Sequence, residues 1–191
     1  MYKYLLIVVL ISTLACNQPM TKDTVVSSWT FNAQNHSASL DHISQPLVFQ
    51  YQELYKGIIS KDTNYINLVV RNTIQLTDSL GNLKLALDSN LQKIWIDGLY
   101  NINAEFQGLL AANIYENPTE FYMSYNMCNI QLLNMLGQIG YKEHSIYIFN
   151  TNFSKSEDGF YWWGLQKNSK DPFKPEQHEQ VAAIQILQET K

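Results

Sequence analysis

The chain has 191 residues, a formal net charge of −4, 46% hydrophobic residues and 13% aromatic residues. That length suits one domain and that composition suits a globular one. An acidic chain with no run of Lys and Arg lacks the clustered cations that nucleic-acid binding relies on, so no nucleic-acid partner is expected.

The first residues read MYKYLLIVVLISTLAC, with Lys3 ahead of an apolar run from Leu5 to Ile11. The run is short of the roughly 20 apolar residues a bilayer span needs. A basic start, a short apolar core and a small residue at its end make a secretory signal over residues 1–15. Cys16 follows Ala15 directly, which is the arrangement of a bacterial lipoprotein whose cysteine is acylated after cleavage. Thr13 stands three residues before the cysteine, where that pathway usually has Leu, and Thr13 with Ala15 also satisfies an ordinary signal peptidase. The two readings share one cleavage point. The first gives a chain lipid-anchored to a bacterial membrane through Cys16, facing periplasm or cell exterior, and the second a soluble secreted one. Loss of Lys3 makes the mature chain one unit more acidic. The only other cysteine is Cys128, so lipid on Cys16 would leave no intramolecular disulfide.

Residues 16–41 are polar and are expected to form a tether, with Trp29 and Phe31 its only large rings. The domain is expected over 42–191. From Ile43 the pattern turns helical: Leu47, Tyr51, Leu54 and Ile58 share one stripe, widened by Val48 and Tyr55. Asp62 or Thr63 is placed to cap a second helix. Its face is Ile66, Val69, Thr73, Leu76 and Leu80, and Gly81–Asn82 signals its end. A third helix begins at Asp88 or Ser89 and carries Leu91, Trp95, Ile102, Phe106, Leu109 and Leu110, with Gly98 and Gly108 as points where a neighbour can approach. Asn117-Pro118-Thr119-Glu120 reads as a capping box with proline at the first helical position. The fourth helix runs from there to Gly137 or Gly140. Four helices on short loops predict a mainly α fold, an antiparallel four-helix bundle.

From about residue 145 the period changes. Ile146–Phe149 and Phe160–Trp163 are rich in β-formers and are separated by the turn signal Ser156-Glu-Asp-Gly159, which predicts a short aromatic C-terminal hairpin or arm. An extended loop follows over Lys170–Pro175. Residues 176–189 are compatible with either helix or strand.

This C-terminal arm resembles a bacterial domain family of unknown function to which copper binding is ascribed. The family occurs in exported proteins and lipoproteins and beside heavy-metal efflux components. Its arm reads Cys-Pro-Met-Ala, a turn, Gly-Ala-x-Trp-Leu-Ser, an Asn-Pro-Tyr-x-Gly stretch, then a Met and a Cys. Gly159, Trp162, Pro172 and Phe173 fall on its Gly, Trp, Pro and Tyr positions without a gap. "LVFQYQELYKGIISKD" and "EFYMSYNMCNIQLLNMLGQIGY" are similar to its first and fourth helices. The resemblance implies a helical bundle with an arm. It does not carry over the metal ligands: the family's Cys, Met, Met and Cys land on Thr151, Phe153, His178 and Val181. Cu(I) favours sulfur, and only His178 among these retains any ligand. No cofactor, copper included, is therefore expected.

The aromatics Phe160, Tyr161, Trp162, Trp163 and Phe173 form either the arm's packing surface or a ligand-stacking surface. If the arm packs, Met123, Met127 and Ile130 are its expected floor. At about 100° per residue, Phe121, Tyr125, Cys128, Leu132, Met135 and Ile139 share the opposite, core-facing side, so Cys128 and Met127 diverge and do not make one chelate. His36, His42, His144 and His178 show no zinc spacing. No catalytic residue is identified, because GxSxG, HExxH and glycine-rich phosphate loops are all missing from the sequence. The expected role is a non-catalytic binding or accessory module of the cell envelope, not an enzyme, with an envelope protein as its partner. The alternative is a metal-handling protein of the same family with altered ligands.

Overall fold

The computed structural model describes residues 35–151, 159–177 and 180–188. Four helices pack consecutively: α1 Ala38–Ser60, α2 Thr63–Gly81, α3 Ser89–Ala111 and α4 Pro118–Gln138. The strands are β1 Ile146–Thr151, β2 Phe160–Gly164, β3 Asn168–Lys170, β4 Gln180–Ala182 and β5 Gln185–Gln188. The protein is mainly α, a four-helix bundle with a small antiparallel sheet region at its C-terminal end.

The helix boundaries follow local chemistry. Asp62 and Asp88 accept the backbone N–H groups of Tyr65 and Leu91 at 3.0 and 2.9 Å, each satisfying one otherwise unpaired donor. Lys61 ends α1 in the left-handed region, with φ 56° and ψ 31°. The N–H groups of Lys61 and Asp62 there turn back onto Ile58 and Gly57. Helix α1 starts earlier than the sequence pattern suggests. Ala38–Asp41 are helical, and Leu40 and Asp41 are buried, so the polar stretch read as a tether to residue 41 gives way to the bundle at Ala38. Ser37 C=O accepts from Asp41 N–H, and the Ser44 hydroxyl donates back to Leu40 C=O. These bonds hold two turns of helix ahead of Pro46. The capping box at α4 does not form. Pro118 does take the first turn, but Asn117 makes no side-chain cap and has ψ 65°, short of the extended value that aims a cap at the helix. Asn113 instead holds the preceding turn, its Oδ1 accepting from Tyr115 N–H at 2.9 Å.

The predicted stripes form the core, with Tyr51, Leu54, Ile58, Val69, Trp95, Ile102, Phe106, Phe121, Leu132 and Met135 all buried. Leu76 lies at its edge, where Val70 and Thr77 take the buried positions. Gly98 does let a neighbour approach: an added Cβ would stand 2.6 Å from Met135 Cγ.

The sheet order is β2-β1-β5, all antiparallel. Phe149 faces Trp162 and Ile148 faces Trp163 across β1 and β2, which is the predicted hairpin; most of its turn lies outside the described residues. Within the stretch left open between helix and strand, residues 180–182 and 185–188 are extended: β4 pairs with β3, and β5 pairs with β1.

Candidate functional site: an aromatic seam between the first and last helices

The arm's residues come together where α1 faces α4. Trp162 and Trp163 are 0% and 1% exposed, and Phe173 is buried with them. Trp163 stacks on Tyr51 of α1 with centroids 4.0 Å apart and an interplanar angle of 12°. Tyr51 lies parallel to Tyr125 of α4, 6.1 Å away, and the two hydroxyls share a hydrogen bond of 2.9 Å. Trp162 stacks on Phe149 at 5.3 Å and meets Phe173 edge-on at 6.0 Å. Phe173 continues the layer to Phe160, Tyr122 and Tyr125. Offset and edge-to-face ring pairs of this kind add to the stabilisation from buried area.

Polar bonds fix the arm's position. Asn126 Oδ1 accepts from Tyr161 N–H at 2.7 Å. Trp162 Nε1 donates to Ser169 Oγ, which donates to Tyr55 Oη, and Lys170 N–H also donates to Tyr55 Oη. Asp171 is buried beside this network and accepts Phe173 N–H at 2.8 Å, making a tight turn that presents Phe173 to the rings. Burial pushes the Tyr51 and Tyr125 hydroxyls well up, so both stay protonated and serve as hydrogen-bonding groups only. Phe160 and Tyr161 are partly buried at the edge of the layer. The rings are thus occupied by one another and by the bundle, so the arrangement is a clamp and not an open stacking surface.

The floor differs from the expected one. Met123 and Met127 remain 54% and 38% exposed, and Ile130 is only partly buried. The arm rests instead on Tyr122, Tyr125 and Asn126 of α4 and on Tyr51 and Tyr55 of α1. The cause is the polar anchoring by Asn126 and Tyr55, which line one face of each helix. Residues 122, 125, 126 and 129 follow helical spacing, so this stripe was present in the sequence; two asparagines interrupted its apolar reading.

Of the remaining sites, Cys16, His178 and Phe153 lie outside the described residues. Thr151 ends β1 and Val181 lies in β4. Cys128 is fully buried and burial raises its thiol well above the ordinary range, so it packs as a small apolar group. His36 binds Gly140 C=O through Nδ1 at 3.1 Å, with the buried Asp41 carboxylate 3.6 Å away. His42 is exposed and His144 is half-buried against Phe49. Among the described residues no three His, Cys, Asp or Glu side chains converge, and no helix is long and apolar enough to cross a membrane. The chain matches no family model, no curated protein and no solved structure.

Proposed function

We propose that the chain is a non-catalytic binding or accessory module of the bacterial cell envelope, exported by residues 1–15 and anchored by lipid on Cys16. The observation that carries this reading is the short apolar run closed by Ala15-Cys16 and followed by a polar stretch. Two or more acyl chains anchor a protein stably where one does not. The bundle then stands off the membrane with an envelope protein as its partner. Membrane fractionation tests the anchor: the native protein partitions with membranes and Cys16→Ala moves to the soluble fraction. A native protein that is already soluble with a free Cys16 thiol overturns the lipid-anchored reading.

The resemblance to the copper-ascribed family is proposed to extend to the scaffold and not to the metal. Thr151, Phe153 and Val181 stand where the family's arm carries sulfur, and a lone imidazole at His178 does not make a selective copper site. A Cu(I) competition titration under reducing conditions should show no stoichiometric retention. Retention that disappears in His178→Ala would favour the metal-handling alternative.

A further inference from the structure

On the outside of the bundle, α3 and α4 enclose a groove of about 360 Å3, a volume within the range of small-ligand sites. Its lining includes Gly98 and Met135, which pack against each other. Five carboxamides line it, and three of them, Asn101, Gln131 and Asn134, lie within about one helical turn of Gly98 or Met135. Elsewhere on the same helices most carboxamides are taken up by the fold, the exposed Gln92 excepted. Asn103 donates to Thr77 and Asp78, Gln107 to Asn103, and Asn129 to Tyr125 C=O, while Asn126 accepts from the arm. Asn101, Gln131 and Asn134 have no side-chain partner among the described residues. Lys93 and Asp97, on the same groove, pair with each other, so the wall presents no net charge to an ion.

We propose that this groove binds a neutral saccharide of about one or two hexose units, a size set by its volume, through the carboxamides of Asn101, Gln131 and Asn134. A carboxamide offers two donors and an acceptor in one plane, which suits vicinal hydroxyls that each donate and accept. An anionic or cationic ligand would find its charge unmatched here. A peptide would need pockets for apolar side chains, and Ile94 and Met135 are the only apolar side chains lining the groove. The proposal rests on the reading of the chain as a binding module but not on its anchor, which fractionation scores separately.

The test is a titration of the 15N-labelled full chain with cellobiose, maltose and N,N′-diacetylchitobiose, with trialanine as the peptide probe, following side-chain NH2 resonances. At least one disaccharide should give saturating shifts at Asn101, Gln131 and Asn134. Asn101→Leu and Asn134→Leu should each weaken binding about tenfold, while Gln107→Leu, away from the groove, leaves it unchanged. Both groove positions are exposed, and far-UV circular dichroism checks that the variants fold. If a variant misfolds, the wild-type shift map decides alone. No saturating shift with any sugar, shifts centred on other residues, undiminished binding in the folded variants, or tighter binding of trialanine overturns the proposal.

Discussion

Asp41 and Gly98 show how single positions set local tolerances. Asp41 is buried and its carboxyl is raised from the ordinary 3.8, first by loss of solvent, against the lowering effect of the Lys142 N–H and of His36. A carboxyl raised in the folded state favours folding in its protonated form. That contribution is complete below the unfolded value and is lost as pH climbs through the folded one. Asp41→Asn keeps an acceptor for Lys142 N–H and cannot ionise. Urea denaturation across a pH series should therefore show the variant gaining on the wild type as pH rises from about 4, the unfolded carboxyl value. Equal slopes in both proteins would mean that Asp41 does not titrate on folding. At Gly98, alanine would gain about 1 kcal/mol of helix propensity. It would also press on Met135, whose Cβ as well as Cγ lies within 3.1 Å of the new methyl, and such overpacking costs about 1–3 kcal/mol. A lower denaturation midpoint is expected for Gly98→Ala, and a double-mutant cycle with Met135→Ala, itself destabilising at this buried site, should show the two losses to be less than additive. The close approach was legible as a glycine inside an apolar stripe, whereas the environment of Asp41 was not, because the loop that buries it follows a helix a hundred residues later.

Among the elements, the hairpin tests how the arm is held. Trp162→Ala empties a fully buried site and should cost about 3–5 kcal/mol in chemical denaturation. Tyr51→Phe keeps the ring stacked on Trp163 but removes the hydroxyl that Tyr125 Oη and Trp163 N–H both approach. Leaving those buried groups unpaired should cost about 1–3 kcal/mol. Met123→Ala and Met127→Ala should change the midpoint little, within about 0.5 kcal/mol, as exposed substitutions do. A large loss at the methionines with none at Trp162 would place the arm on the other face of α4. The four helices were readable because each buries a continuous apolar stripe, and the two hairpin strands because β-formers cluster around a turn. The seat of the hairpin was hidden because its anchors are polar, Asn126 and the Tyr55 hydroxyl, and polarity in a helix stripe ordinarily signals solvent. The last two strands were undecided because short segments such as "QILQ" take their conformation from a partner strand.

For the whole molecule, three sides of the bundle are closed by neighbouring helices and the fourth by rings. Arm and helices share Tyr51 and Tyr125, so they should unfold together: far-UV circular dichroism and tryptophan fluorescence should give coincident transitions. A chain ended after residue 145 should lose that cooperativity, expose Tyr51, Tyr125 and Phe121, and bind a hydrophobic dye that the full chain does not. Full retention of the melting midpoint by that shortened chain would show that the seam is dispensable. The count and order of helices were legible from loop lengths, while the closure of the fourth side was not, since it joins residues far apart in sequence.

The bond from Trp163 N–H to Tyr51 Oη spans 112 positions. Synthesis is directional, and early segments leave the ribosome first. Helix α1 therefore waits, its tyrosine face uncovered, until the hairpin 112 positions later has been made. The β1–β2 hairpin closes the seam, so a nascent chain stalled before Trp162 would present its own unfilled seam to whatever holds unfinished proteins.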